Sequence, residues 1–167
     1  MAELGGRVIA EPFDMFDNGR MSMVQDPEGA FVNFWQPLKH IGTQIVNEPG
    51  TVIWNDLAAD DPEKLGAFSS SLLGVGIEDM EGMPEYKLLS IGEKSVAGIM
   101  KKGGQLRETP TNWSVYFAVA DTDAAVEKCR SLGGALLNGP TDTPMGRVAV
   151  LKDPQGAAFQ VIAYSGE

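Results

Sequence analysis

Histidine and cysteine are almost missing from this chain: His40 and Cys129 are the only examples among 167 residues. A single cysteine cannot close an internal disulfide, which favours a reducing compartment. No histidine stands near Cys129 in sequence to draw off its proton, so Cys129 reads as inert packing rather than a nucleophile. Basic residues are scarce too, 13 against 23 acidic ones, for a net charge of −10. Such a surface repels a phosphate backbone, so nucleic acid is excluded as a partner, and an anionic membrane for the same reason. No apolar run approaches the ~20 residues needed to span a bilayer. The N-terminus lacks the basic-then-apolar pattern of a secretory leader. The expectation is a cytoplasmic protein. Apolar residues at 43% and charged residues at 22% are ordinary for a globular chain with a real core.

What is present is a repeat. Gly146-Arg147 followed by Asp153-Pro154-Gln155-Gly156-Ala157 has an earlier copy in Gly19-Arg20 and Asp26-Pro27-Glu28-Gly29-Ala30, 127 positions upstream. Each copy reads as strand, four-residue turn, strand. Asp can bond the backbone two residues on, Pro has φ already set, and Gly tolerates a positive φ. The repeat extends upstream at an offset of 128: Leu4-Gly5-Gly6, Pro12 and Asp14 match Leu132-Gly133-Gly134, Pro140 and Asp142. An internal repeat of this kind points to duplicated architecture.

In chain order, strands are expected at 7–10, 19–25 and 30–35. Residues 1–36 thus form the second half of a module whose first half is missing, either a natural short form or a truncated chain. A bare sheet edge there invites pairing with the rest of the chain or with another subunit. Residues 37–50, which hold His40, form a linker. A strand at 51–58 leads to Asp61-Pro62-Glu63, a helix start with N-cap, N1 proline and early acid. Leu65, Phe68 and Leu72 mark the buried face of that helix, and Gly74 ends it. A loop at 75–84 and a hairpin over 85–91 and 95–100 follow. After a polar surface connection at 101–112, Trp113, Val115, Phe117 and Val119 alternate with Ser114, Tyr116 and Ala118, a strand with one buried face. Asp121 or Thr122 caps a second helix, with Ala125, Cys129 and Leu132 on its inner face. Strands at 135–137, 147–152 and 157–164 complete the chain. A strand, a helix and then hairpins, twice over, give an α+β fold with helices on one sheet face.

These features resemble the vicinal oxygen chelate superfamily, which includes glyoxalase I, bleomycin-resistance proteins and extradiol dioxygenases. The matching residues are the strand-to-helix steps ending at Asp61 and Asp121, the helix-ending Leu73-Gly74 and Leu132-Gly133, and the Gly-Arg…Asp-Pro-x-Gly-x-x-Phe hairpin from Gly146 to Phe159. The resemblance implies paired βαβββ units forming an open half-barrel cleft with the helices outside. On this reading 51–165 is a complete module of two units and 1–36 a partial module. In catalytic members the cleft holds a divalent metal, bound by His, Glu or Gln on the first and last strands of each unit. The positions that match here are Trp54, Ser114 and Gln160, with Asn33 in the partial module. Trp54 cannot ligate, Ser114 is a poor ligand and His40 lies in the linker, whereas a catalytic zinc site normally takes three protein ligands. No cofactor is therefore expected, and no metal ligands are assigned. Strand parity points Trp54, Asp56, Ser114, Tyr116 and Gln160 into the cleft. This lining of aromatics and hydrogen-bonding groups suits a small organic ligand. Asp56 is the one nominee for acid–base work. The leading expectation is a metal-independent small-molecule-binding protein of this superfamily, as a homodimer or strand-sharing oligomer. The alternatives are a divalent-metal-dependent lyase, isomerase or dioxygenase, and a partner-binding or structural subunit.

Overall fold

The computed structural model describes residues 1–166. The chain forms two compact units, Met1–Gln44 with Asp56–Trp113, and Ile45–Asn55 with Ser114–Glu167. The first unit opens with a three-stranded antiparallel sheet, β1 (Arg7–Met15), β2 (Gly19–Gln25) and β3 (Phe31–Pro37), in that order. It continues with β4 (Val52–Ala59), α1 (Pro62–Leu73), β5 (Gly76–Met80), β6 (Met83–Ile91) and β7 (Lys94–Lys101), whose sheet order is β5-β6-β7-β4. The N-terminal half of β4 belongs to the second unit. There β8 (Asn112–Ala118), α2 (Thr122–Ser131), β9 (Ala135–Thr143), β10 (Gly146–Lys152) and β11 (Ala158–Tyr164) are ordered β8-β11-β10-β9. In each βαβββ run the first and last strands pair in parallel, β4 with β7 and β8 with β11, and the hairpins are antiparallel. This is the expected α+β architecture. No helix among the described residues is long and apolar enough to cross a membrane.

Local chemistry explains the helices. Asp61 Oδ1 accepts the Lys64 amide at 3.1 Å, Pro62 takes the first helical position, and Gly74 closes α1 at φ 71° with its N–H on Ser70 O. Asp121 caps α2 by accepting from Ala124 N at 3.0 Å. Leu65 and Phe68 of α1 are buried, and Leu65 joins Leu57, Leu89 and Ile99 in one core. Val126 of α2 joins Ala149, Leu151 and Val161 in the other. Burying a side chain of this size is worth roughly 1.5–3 kcal/mol.

Four expectations need correction. The stretch 75–84 is not all loop, because β5 pairs antiparallel with β6 and sets Ile77 against the core. Its glycine, acids and methionine carry little strand signal alone, and tertiary pairing supplies the rest. β1 and β9 run to Met15 and Thr143, past 10 and 137, because a bulge lets each strand resume after its register shifts. The inner face of α2 carries Val126 with Ala125 and Cys129, whereas Leu132 is 65% exposed, since it lies past the last helical residue. On β8 both faces are half-buried, without the one-sided contrast expected from its alternation.

The repeat is geometric as well as textual. β1, β2 and β3 have the same lengths and register as β9, β10 and β11, including the site of the bulge. In the first turn Asp26 Oδ1 accepts from Glu28 N at 2.8 Å and Ala30 N at 3.0 Å. In the second, Asp153 Oδ1 accepts from Gln155 N at 2.9 Å and Ala157 N at 2.8 Å. Gly29 and Gly156 take φ 99° and 103°, where a Cβ would be strained.

Two side chains in these units have measurable consequences. Thr122, 1% exposed, donates its hydroxyl to Arg147 O at 2.6 Å and accepts from Ala163 N at 3.0 Å, tying α2 to β10 and β11. Thr122→Val leaves both backbone groups without this partner. It is expected to cost about 1–3 kcal/mol in urea unfolding, with most of the loss restored by Thr122→Ser. Asp26 is buried, and its Oδ2 has no hydrogen-bond partner. It lines a cavity of about 30 Å³ with Phe34, Leu57, Phe68 and Trp113. Burial raises its pKa above the ordinary carboxylate value, against the lowering effect of the turn amides. The folded state therefore holds this proton more tightly than the unfolded chain does. Its contribution to stability is full below the ordinary carboxylate value of 3.8 and is lost as pH rises through the raised one. Asp26→Asn is expected to flatten that segment of the stability–pH curve, measured by urea midpoints across pH 3–7.

Candidate functional site

In the second unit α2 covers one face of the sheet. Val126, Ala125 and Cys129 pack against Ala149, Leu151, Val161 and Phe159, and the Phe117 and Phe159 rings meet edge-to-face at 6.0 Å. Side chains alternate across a strand, so residues of opposite parity lie on the face away from the helix. Tyr116 and Gln160 are register partners on the parallel strands β8 and β11 and stand side by side there. Val150 partners Gln160 on its other side, from β10. Ser114 precedes Tyr116 by two residues and shares its face. Trp54 belongs to this unit through the N-terminal half of β4 and is half-buried, as are Ser114, Tyr116 and Gln160. Four of the five nominated residues thus belong to one unit, and two of them are direct neighbours.

Asp56 belongs to the first unit. It is buried, and its Oδ1 accepts a hydrogen bond from the Tyr86 hydroxyl of β6. Between them, on β7, lies Gly98, the register partner of both Asp56 and Leu88. A Cβ at Gly98 would overlap the Tyr86 hydroxyl and Asp56 Oδ1. The phenol reaches the carboxylate only because this strand position has no side chain. Tyr86 and Gly98 are the neighbours of Asp56 that sequence reasoning missed. A glycine inside an apolar strand marks a close approach of some other group, and that signal was available at Gly98.

The other nominees have structural surroundings. His40 stacks edge-on against Trp35 at 6.1 Å, and its carbonyl accepts the Trp35 indole N–H at 2.8 Å. Cys129 Sγ donates to Lys152 O at 3.7 Å on the helix-covered side of the sheet. No group of three or more His, Cys, Asp or Glu that could hold a metal occurs among the described residues. Asn33, on β3, pairs with Met23 of β2.

Gly98→Ala is expected to push Tyr86 off Asp56 and leave a buried carboxylate short of a donor. A loss of about 1–3 kcal/mol in chemical unfolding is expected, together with a changed tyrosine absorption spectrum. Tyr86→Phe in the same background should then cost little more, since the bond is already gone.

Residues 53–162 match the model of the glyoxalase-like domain family. CFP32 of Mycobacterium tuberculosis, whose name marks it as a candidate glyoxylase, is 44% identical over 161 residues, covering 95% of this chain and 61% of that protein. The anthracycline biosynthesis protein DnrV of Streptomyces peucetius is 38% identical over 160 residues, covering 95% and 58%. The chain thus spans about three-fifths of the length of these curated relatives. In fold it is similar to the Mn(II)-bound glyoxalase of Novosphingobium aromaticivorans, with a TM-score of 0.66 and 14% identity over 98% of this chain and 56% of that one. It is similar also to the 2,3-dioxygenase LapB of Pseudomonas sp. KL28, with a TM-score of 0.61 and 14% identity over 96% and 65%. The βαβββ repeats and a family match over residues 53–162, more than half of the chain, agree: the chain belongs to the glyoxalase-like family.

Proposed function

We propose that the second unit binds a small, largely planar organic molecule on the sheet face away from α2. Tyr116 and Trp54 supply aromatic contact area, and Gln160 and Ser114 supply orienting hydrogen bonds. The observation that carries this reading is the pairing of Gln160 with Tyr116 in register on adjacent parallel strands. An amide that can both donate and accept stands beside an aromatic face, on the side of the sheet that the helix leaves uncovered. DnrV is an anthracycline biosynthesis protein by name, and the likeness to it makes anthracyclines a ligand class to try. Asp56 is given no proton-transfer role, because its Oδ1 is engaged by Tyr86.

The proposal includes binding without a metal. The positions where the superfamily places ligands hold Trp54, Ser114 and Gln160, an indole, a neutral hydroxyl and a single amide. These do not make the three-ligand set of a catalytic zinc site or the carboxylate set of a magnesium site. The name of CFP32 favours a second reading, a metal-dependent glyoxalase-type isomerase or lyase. Chelator-sensitive turnover of a glutathione–methylglyoxal hemithioacetal would establish it.

The deciding measurement pairs elemental analysis of purified protein with a fluorescence titration against daunorubicin and a panel of smaller aromatic acids and quinones. The expected result is no stoichiometric metal, and saturable binding of at least one panel member. Gln160→Ala and Tyr116→Ala should each weaken that binding by about tenfold, near the worth of one hydrogen bond or one aromatic contact. Stoichiometric metal, or binding indifferent to both substitutions, would sink the proposal.

A further inference from the structure

Asp26 is 8% exposed, and among the described residues its Oδ2 is the one buried side-chain oxygen or nitrogen without a hydrogen-bond partner. Its turn does not require that burial. In the second copy of the turn Asp153 makes the same two bonds to backbone amides through Oδ1, and it stays half-buried. In Asp26 too, Oδ1 holds both turn amides, Glu28 N and Ala30 N. Oδ2 is therefore the oxygen that Asp26 offers to the cavity beside it. A buried acceptor left without a donor is destabilising, and native proteins rarely keep one without a use.

That cavity, of about 30 Å³, lies wholly within the first unit. Three aromatic side chains line it with Asp26: Phe34 of β3, Phe68 of α1 and Trp113 at the start of β8. An aromatic face attracts a cation through the ring quadrupole. Ser69 is the other polar residue of the lining. Its hydroxyl proton goes to Leu65 O at 2.8 Å, so its oxygen is left as an acceptor. Leu72 and Leu73, the last residues of α1, complete one wall, and Leu73 is 54% exposed, so this wall leads to solvent. A helix C-terminus carries negative partial charge. The last turn of α1 has no basic side chain to offset it, whereas Lys128 and Arg130 stand in the last turn of α2. Acceptors, ring faces and a helix C-terminus all favour positive charge here, and the lining contains no Lys, Arg or His to supply it. A bare Ca²⁺ or Mg²⁺ ion is a poor match, because such hard cations take about six or more oxygen ligands and these side chains offer two. A water needs about 10–15 Å³ by this measure, so the space holds about two or three non-hydrogen atoms.

We propose that this cavity binds the head of a small primary amine, with its ammonium group donating to Asp26 Oδ2 and Ser69 Oγ and its first carbon against the rings of Phe34, Phe68 and Trp113. The rest of a longer amine leaves past Leu73. Such an occupant gives Oδ2 the donor it lacks and the carboxylate a counter-charge. Tetramethylammonium has the same charge but no N–H and too much bulk, so the site rejects it. Amine and proton compete for one carboxylate, whose proton burial holds more tightly than usual. The amine takes the ionised form, so its affinity is full above the raised pKa of Asp26 and is lost as pH falls through it. The lining residues from β3, β4, α1 and β8 carry no titratable group. Glu28, on the same turn, is the acid that faces Asp26, and its carboxylate is engaged by Asp60 N, Asp61 N and the Thr111 hydroxyl.

The test titrates the intact chain with carbon-13-labelled methylammonium chloride, read from the methyl resonances, with sodium chloride at matched ionic strength as the control. The expected result is saturable one-to-one binding with an upfield methyl proton shift from the rings, no binding of tetramethylammonium, and an affinity that falls as pH is lowered from 8 to 4. Asp26→Asn keeps the turn acceptor and removes the charge. It should weaken binding about tenfold, the scale of one charge-assisted hydrogen bond. Phe68→Leu removes one ring and should weaken it about fivefold, the scale of one cation–π contact. The pH profile and the tetramethylammonium comparison use the unaltered chain, so they decide the matter even if a variant fails to fold. Absence of a saturable methyl shift overturns the proposal and leaves the cavity to water. Binding indifferent to pH and to Asp26→Asn also overturns it, as does equal binding of tetramethylammonium.

Discussion

A carboxylate oxygen that accepts two backbone amides is the constraint on which both hairpin sheets depend. Asp26 and Asp153 each hold the N–H groups two and four residues ahead. That bond fixes the loop at four residues, and the loop length sets the register of the flanking strands. A slip of one residue would turn Val24, or Leu151, from the buried face to the open one. In the second unit the same register places Gln160 beside Tyr116 and keeps Val161 under α2. The site face and the core face are therefore set by one turn.

The first copy of the turn has a further task. Glu28, where the second copy has Gln155, uses its carboxylate to accept the amides of Asp60 and Asp61 at 2.7 and 2.8 Å and the Thr111 hydroxyl at 2.8 Å. Those amides lie at the start of α1, where a negative charge is favourable. The turn thereby anchors the three-stranded sheet to the step from β4 into α1. This anchoring accounts for the deep burial of Asp26 next door. A turn acid that would sit in water as a free hairpin is drawn into an apolar cavity instead.

Much of this fold was legible because its signals are local. The Asp-Pro-Glu helix start, the glycine after Leu73 and the repeated Asp-Pro-x-Gly turn each act within a few residues, and each occurs in the structure where the sequence put it. β5 was illegible because Gly76, Glu78 and Asp79 are poor strand formers, and only pairing with β6 makes them one. Leu132 misled because periodicity does not say where a helix stops. At the candidate site, parity puts Tyr116 and Gln160 on one face of their unit, and their strands pair at those two residues. It could not show that Asp56 is held by a tyrosine 30 residues away, because that bond depends on the β6–β7 register and on what is missing at position 98.

The Gly98 contact also sets how this part of the chain can vary. The Tyr86 hydroxyl and the Asp56 carboxylate share the volume that any side chain at 98 would need. Positions 56, 86 and 98 are thus one steric unit spread over three strands. A larger residue at 98 is compatible only with a shorter one at 86, and a shorter residue at 86 takes the phenol donor away from the buried acid at 56. Change at these positions has to be joint or not occur at all. In any set of sequences that share this sheet, glycine at 98 and tyrosine at 86 should be gained and lost together.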